Sequence, residues 1–487
     1  MAVEIDDIGF SFVVDEDPMF AYQGWHLAHS IIERLHAAPS SIFVQFTAQV
    51  DLRTVDIFKS LGCTTTRIKR FGDGKYCNKL AQWNAELRAS HFKQFIFLDT
   101  DTIFVGNCLD ELRSDVIGAK IVDLANPPID ILEELMHAAG FGELPSVCRV
   151  DASEELTYFA NSNGGFYSIP RQFAEVLFES WRRWALWLLD HSEPLRKADK
   201  TAHIDQVSFC MAVHETGLPF QFIPSNLNYF VHFAGRRHYY DPAKPISLLH
   251  YHNQSVNVVG LLEPAWTVTP AEKQAIEQAN SQIARHFENK LFWEMRYANF
   301  SERGSGVGSR GENLDYKRRL LIEQGAEQAR SVLDVGCGDL EVVKALDLSG
   351  YVGIDQSMKT LEIAKRARPD WSFRQAPCPD AAPADFVLCF EVLIHQESLT
   401  GYNELIRYLA AKTRRVLLVS GYEEATEAIR ANSMLFFYEP LSRSLMKTEK
   451  FISVKAVGRH TDVTIFRCEV RPPTLGRLLR RSLRRRP

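Results

Sequence analysis

Residues 95–104 set the first constraint on the fold. The apolar run Phe95-Ile96-Phe97-Leu98 is broken by Asp99-Thr100-Asp101 and resumes as Thr102-Ile103-Phe104. A parallel strand covered on both faces reads as nearly continuous hydrophobic sequence, so two carboxylates inside one are costly unless something neutralises them. A divalent cation does this with hard oxygen ligands, which suit Mg²⁺ or Mn²⁺, and the cation also bridges phosphates. Side chains two apart on a strand share a face, which predicts that Asp99 and Asp101 converge on one ion at the strand's end. The competing reading is an acidic pair that caps a turn.

A chain of 487 residues exceeds one ordinary core and predicts about two to four domains. The content of 46% apolar and 24% charged residues fits a globular enzyme, and a net charge of −5 gives no basis for nucleic acid as a partner. Nine cysteines without a Cys-x-x-Cys pair predict neither a zinc site nor a disulfide framework, and they point to reduced thiols in a cytoplasmic setting. The opening Met1-Ala2-Val3-Glu4-Ile5-Asp6-Asp7 lacks the apolar core of a secretory signal. No run approaches the ~18 uninterrupted apolar residues of a spanning helix. Residues 475–486 interleave six arginines with leucines. This tail reads either as a peripheral contact with the inner face of an anionic membrane or as a solvated, disordered terminus.

In the first half, a strand over Ile8–Val14, a turn at Asp15-Glu16-Asp17-Pro18, a helix over Met19–Arg34 and a strand over Ser41–Phe46 form a β-α-β alternation. That alternation predicts a parallel sheet with its ligand site at the strands' carboxyl ends. Asp15 stands where a nucleotide would bind and equally suits a turn. Tyr76–Trp83 is expected to begin the helix feeding the acidic strand, with Lys79 facing either a diphosphate or solvent. Residues 125–151 read as a loop-rich insertion of the kind that selects an acceptor. Trp181, Trp184 and Trp187 recur at helical spacing, as a packed stripe or as a sugar platform.

Five stretches then fall in one order: Asn78-Lys79-Leu80, Phe97-Leu98-Asp99-Thr100-Asp101-Thr102, Phe159 to Tyr167, His203-Ile204-Asp205-Gln206-Val207 and Ile246 to Tyr251. This order resembles the GT-A glycosyltransferases, especially the retaining hexosyltransferases of family eight. The resemblance implies a nucleotide-sugar donor such as a UDP-sugar, with Asp99, Asp101 and His250 as ligands of Mn²⁺ or Mg²⁺. It implies Asn163 and Gly164 against the donor sugar, Lys79 and Asp15 as further substrate contacts, and Asp205 and Gln206 near the anomeric carbon as the catalytic pair. The family's Lys-Pro-Trp run after the histidine is replaced by Asn253-Gln254-Ser255. That departure leaves open what holds the β-phosphate, whether His250 or His252 is the ligand, and whether configuration is retained.

Thr269-Pro270-Ala271-Glu272 is a capping box with proline at the first helical position, and Ile276, Ala279, Ile283, Phe287 and Leu291 follow at helical spacing. A linking helix is expected within 263–300. Ser301–Gly311, with Gly304, Gly306, Gly308 and Gly311, is either a flexible linker or a loop covering a cofactor of the next domain. Ser331–Leu340 reads as a strand running into the Gly336-Cys337-Gly338 turn and a helix, a place where backbone approaches a ligand closely. The next strand, Tyr351–Ile354, ends in Asp355, at the place of an acid that binds ribose hydroxyls.

These motifs, with Ala384–His395, Arg415–Ser420 and the lead-in from Trp293 to Lys317, resemble the class I S-adenosylmethionine-dependent methyltransferases. The resemblance implies that Asp334, Gly336 and Gly338 hold the methionine part and Asp355 the ribose. His395 is either a hydroxyl's general base or a cofactor contact, and Glu391 is a cofactor-side residue that is an alternative base or faces solvent. The family's third glycine is Leu340 here.

The reading is an α/β chain: a GT-A nucleotide-sugar transferase domain (1–262), a linking helix (263–300), a Rossmann-like class I methyltransferase domain (301–470) and a basic tail (471–487). It implies sugar transfer to a glycan or lipid-linked glycan acceptor and O-methylation of a sugar hydroxyl in surface polysaccharide synthesis. Two alternatives are a methyltransferase served by an inactive GT-A acceptor-binding module, and a nucleotidyltransferase fusion.

Overall fold

The computed structural model describes residues 3–470 apart from 232, 234–236 and 267; the basic tail, with its expected membrane contact, lies outside the described residues. The chain divides into two compact units, Met1–His286 and Phe287–Pro487. The strands of the first are β1 (Ile8–Val14), β2 (Ile42–Thr47), β3 (Thr64–Ile68), β4 (Gln94–Leu98), β5 (Thr102–Phe104), β6 (Ile117–Ile121), β7 (Val147–Arg149), β8 (Leu156–Tyr158), β9 (Ser162–Pro170), β10 (Phe220–Phe222), β11 (Tyr229–Phe230) and β12 (Leu248–His250). Its main sheet has the order β10-β6-β9-β4-β1-β2-β3, and a small sheet has the order β11-β12-β5. Strands β1 to β4 run parallel, as the β-α-β pattern predicts, while β9 is antiparallel to both β4 and β6.

The acidic run is not one strand. β4 ends at Leu98, and β5 belongs to the other sheet, paired with β12. A strand buried at every position leaves no room for a carboxylate, so the chain exits at Asp99, where the Thr102 hydroxyl donates to the Asp99 carbonyl at 2.8 Å and closes the turn. Asp99 and Asp101 therefore meet through a turn rather than through strand alternation.

Three other expectations change. Tyr76–Gln82 is a 3-10 helix, and a separate short helix, Ala85–Ala89, starts at Asn84, whose side chain accepts from the Glu86 and Leu87 amides. The stretch 125–151 contains a helix, Ile129–Ala138, as well as loop. The linking helix is two helices belonging to different units. Pro270–Arg285 carries the full capping box and lies against the first unit, where Gln282 donates to the Phe104 carbonyl. Asn289–Asn299 lies in the second, where Glu294 accepts from the Met358 amide.

The helix Arg171–Asp190 forms as the spacing predicts, and its tryptophans pack inward: Trp181 is fully buried among Tyr167, Phe178 and Phe209. The stripe is core, not a sugar platform.

The second unit is one sheet of β13 (Val332–Val335), β14 (Tyr351–Asp355), β15 (Ser372–Gln375), β16 (Ala384–Cys389), β17 (Thr413–Gly421), β18 (Phe451–His460) and β19 (Val463–Val470), ordered β15-β14-β13-β16-β17-β19-β18. The first five in that order are parallel, and β19 runs antiparallel to both of its neighbours, β17 and β18. Strand order reverses between β13 and β16, which places the ligand crevice at their carboxyl ends. Apolar clusters cover both faces of the sheet. Among the described residues, no helix is long and apolar enough to cross a membrane.

Trp181 also donates from its indole nitrogen to the Asp205 carbonyl at 2.7 Å, so it joins the core to the start of the helix Ile204–Thr216. Trp181→Ala is expected to lower unfolding free energy by about 3–5 kcal/mol, read as a shifted urea midpoint in far-UV circular dichroism.

Candidate functional site

At the carboxyl end of β4, the turn brings Asp99 and Asp101 beside His250 at the end of β12, with one ligand atom of each within 4.8 Å of the others. His250 Nε2 lies 3.3 Å from Asp101 Oδ1. His252 is exposed, and it is His250 that joins the two aspartates. Two carboxylates and an imidazole are a donor set suited to Mn²⁺ or Mg²⁺.

Lys79 does not reach out to solvent. Its ammonium is buried 2.7 Å from Asp99 Oδ1 and 3.6 Å from Asp205 Oδ2, and it donates to the Gly164 carbonyl at 2.5 Å. Burial works to lower its pKa, but Asp99 and Asp205 outweigh burial and raise it. Burial pushes Asp205 up to about 6 despite Lys79, and Asp205 Oδ1 is buried with no hydrogen-bond partner. Gly164 lies at the centre of these charges: a Cβ there would meet Lys79 Nζ at 2.5 Å, Asp99 at 3.3 Å and Asp205 at 3.4 Å. Gln206 is half-buried on the same helix as Asp205.

Asp15 is engaged within the protein. Its Oδ1 accepts from Thr47 and Arg70, each at 2.6 Å, and its Oδ2 accepts from Asn78 at 3.1 Å. Asn163 donates to Asp123 Oδ2 at 2.8 Å, and its Oδ1 accepts from the Gly165 amide and from Asn228. Asn228 Oδ1 lies 3.0 Å from His250 Nδ1. Asp123 and Asn228 were not found from sequence. The signal present was Lys120, a lysine inside the apolar strand β6, three residues before Asp123.

In the second unit the turn after β13 has Gly336 at φ +77° and Gly338 at +56°. Leu340, standing for the third glycine, keeps φ +62°, a conformation that strains a leucine. Both glycines are required by the chain's own contacts: Val392 fills the space of a Cβ on Gly336, and Ser305 that on Gly338. Asp334 is buried and accepts from the Tyr351 hydroxyl at 2.8 Å, so it is engaged within the sheet rather than free at the turn. Asp355 accepts from the Gly338 and Ser357 amides at 3.0 Å each, and burial pushes its carboxyl up to about 6. The Ser301–Gly311 stretch is bound to this unit rather than being a free linker: Ser305 and Arg310 both donate to Asp339.

Glu391 does not face solvent as a base. It has φ +59°, and its Oε1 lies 2.5 Å from Lys317 Nζ and 2.8 Å from His460 Nε2. Burial works to raise its pKa, but His460 and Lys317 outweigh burial and hold it down to about 2. His395 lies in the turn Leu393–His395 after β16, with Nδ1 2.8 Å from the Met434 carbonyl. A carbonyl only accepts, so Nδ1 carries the proton and Nε2 keeps its lone pair. Burial lowers the pKa of His395, which keeps the ring neutral near pH 7.

Residues 11–217 match the family model of the Rhodobacterales glycosyltransferase domain, and residues 333–422 match that of the methyltransferase domain. The chain carries a glycosyltransferase domain followed by a methyltransferase domain. Both are transferases, with a sugar donor and acceptor implied by the first. Solved structures similar to the chain are magnesium protoporphyrin IX methyltransferase from Synechocystis PCC 6803 with bound S-adenosylmethionine (18% identity, 33% of this chain and 79% of that one, TM-score 0.27) and the N-methyltransferase NodS from Bradyrhizobium japonicum WM9 (19% identity, 33% and 86%, TM-score 0.27). A third is an amino pentose methyltransferase from Micromonospora echinaspora (14% identity, 34% and 94%, TM-score 0.28). No curated protein matches the chain.

In the methyltransferase domain, Lys317→Met leaves Glu391 buried with His460 alone and is expected to cost about 3 kcal/mol at pH 7. Glu391 is held below its ordinary value of 4.5, so its contribution to stability is present above pH 4.5 and fades as pH falls toward 2. Urea unfolding of both proteins is therefore expected to show a steady gap above pH 4.5 that narrows as pH falls from 4.5 toward 2.

Proposed function

We propose that the first domain transfers a sugar from a nucleotide-sugar, with a UDP-sugar as donor, to a glycan or lipid-linked glycan acceptor. We assign to the second the O-methylation of a sugar hydroxyl with S-adenosylmethionine, in surface polysaccharide synthesis. The observation that carries the reading is the convergence of Asp99, Asp101 and His250, beside a glycine walled by Lys79, Asp99 and Asp205. A divalent cation on Asp99, Asp101 and His250 supplies positive charge against the diphosphate that leaves. Asp205, with its unpartnered oxygen, and Gln206 face the donor sugar and stabilise positive charge developing at its anomeric carbon. Asn163 and Gly164 give the sugar a close backbone edge.

In the second domain, Asp355 accepts hydrogen bonds from the ribose hydroxyls, and the turn at Gly336 and Gly338 holds the methionine part. Methyl transfer breaks the carbon–sulfur bond of the sulfonium as the hydroxyl oxygen bonds the carbon, and the hydroxyl proton passes to His395 Nε2. The pairing of the two activities in one chain supports methylation of the transferred sugar or its neighbour, which stops extension at that hydroxyl.

Hydrolysis of a panel of nucleotide-sugars with Mn²⁺ tests the first half. Asp101→Asn is expected to reduce it by about 100-fold, at an unchanged far-UV spectrum. A wild-type chain that neither hydrolyses nor binds any donor favours the inactive acceptor-binding module instead. For the second half, S-adenosylhomocysteine affinity by calorimetry is expected to hold above pH 6 and fall about tenfold by pH 5. The Asp355 carboxyl takes up a proton as pH falls through about 6, and the neutral acid no longer accepts from both ribose hydroxyls.

A further inference from the structure

Behind His250 runs a chain of hydrogen bonds in which each link fixes the direction of the next. It starts at Lys120, fully buried in β6, whose ammonium pairs with Asp123 and lies 3.3 Å from Asp151. Asp123 is a carboxylate paired to an ammonium, so towards Asn163 it only accepts. The Asn163 atom 2.8 Å from Asp123 Oδ2 must then be the amide nitrogen. That leaves Asn163 Oδ1 facing the Gly165 amide at 2.9 Å, a donor that independently requires the same orientation. Asn163 Oδ1 also faces Asn228 at 3.0 Å, so the Asn228 atom there is its amide nitrogen, and Asn228 Oδ1 is turned to His250 Nδ1 at 3.0 Å. An oxygen without a proton requires a proton on His250 Nδ1, which leaves Nε2, 3.3 Å from Asp101 Oδ1, as the nitrogen at which a cation would stand in place of a proton.

We propose that Asn228, oriented through Asn163 by the Lys120–Asp123 pair, is the positioning residue that sets the metal-binding tautomer of His250. The inference rests on the metal-centre reading of Asp99, Asp101 and His250, and assigns new roles to four residues outside that donor set. The scaffold is rigid at both ends. Asn228 and Lys120 are fully buried and Asp123 nearly so. Asp151, the second partner of Lys120, accepts from the Ser225 hydroxyl at 2.8 Å, and Ser225 accepts through its carbonyl from the Asn228 amide at 3.1 Å. The same buried lysine therefore anchors both the side chain that fixes Asn163 and the backbone turn that carries Asn228. A histidine that ligates a metal depends on such a partner at its other nitrogen, whose loss typically weakens metal binding about 10- to 100-fold.

The test is Mn²⁺ affinity of the full chain, measured by the electron paramagnetic resonance of free Mn²⁺. It is paired with ¹⁵N spectra of histidine-labelled protein in which the His250 signals are assigned by their loss in His250→Ala. The wild type is expected to bind Mn²⁺ and, free of metal, to keep a proton on His250 Nδ1. Asn228→Asp, whose carboxylate still accepts from Nδ1, is expected to keep affinity within about threefold, while Asn228→Leu loses about 10- to 100-fold. Asp123→Asn is nearly isosteric and keeps the proposal testable if Asn228→Leu does not fold. An amide at 123 can donate, so the chain loses its direction: about tenfold weaker Mn²⁺ binding is expected, with the proton now shared with Nε2. Wild-type affinity in Asp123→Asn and Asn228→Leu, alongside lost binding in His250→Ala, overturns the relay and leaves the metal centre standing. No Mn²⁺ binding by the wild type overturns both.

Discussion

One buried ammonium makes the acidic edge of the first sheet feasible. Taking a lysine out of water costs several kcal/mol, and a site that does so must return that in close, well-placed anions. Lys79 finds them in Asp99 and Asp205, with the Gly164 carbonyl as a further acceptor. The pairing also engages Asp99, whose Oδ1 is turned to Lys79. Three carboxylates, Asp99, Asp101 and Asp205, surround one ammonium, so full ionisation leaves a deficit of two positive charges. A divalent cation balances that deficit, and burial of Asp205, which pushes its carboxyl up to about 6, lightens it as pH falls.

Much of the first unit was legible because local pattern and tertiary packing agree there. β1, the helix Pro18–Leu35 and β2 lie within a residue or so of the periodicity that predicts them, with Asp17 capping the helix and Pro18 at its first turn. The acidic run was legible as chemistry but not as geometry. Ten residues of strand-like composition give no sign of passing from one sheet to another, because β4 and β5 are each ordinary strands and the change of sheet is set by β12, far along the chain. Asn228 was out of reach for a different reason: a lone asparagine in a short loop carries no pattern, and its meaning comes only from the two side chains it touches.

In the second unit the motif was legible and its reason was not. A Gly-x-Gly turn suggests backbone left bare for a ligand. Here Val392 and Ser305 already occupy the space a side chain would need, so the protein's own packing requires the two glycines. Leu340 shows the complementary case. The third position keeps a positive φ without glycine, and the side chain is buried in the core beneath the turn. The turn's shape is thus held by packing, which explains how the motif survives the loss of its last glycine.

The two carboxyl edges solve the same electrostatic problem in different ways, and the difference bears on what each can hold. At the first, the ammonium of Lys79 is too little charge for its neighbours, and the edge favours a ligand that brings cations and tolerates phosphate. At the second, Glu391 is already matched by Lys317 and His460 and adds no further demand. What remains there is Asp355, held by backbone amides and raised by burial, with no cation among its hydrogen-bond partners in the described residues. A carboxylate so placed gains most from neutral donors that approach without bringing charge into a buried site, and a pair of sugar hydroxyls is such a donor. Charge matching inside each sheet edge, more than the α/β architecture they share, is therefore what separates the proposed diphosphate site from the proposed ribose site.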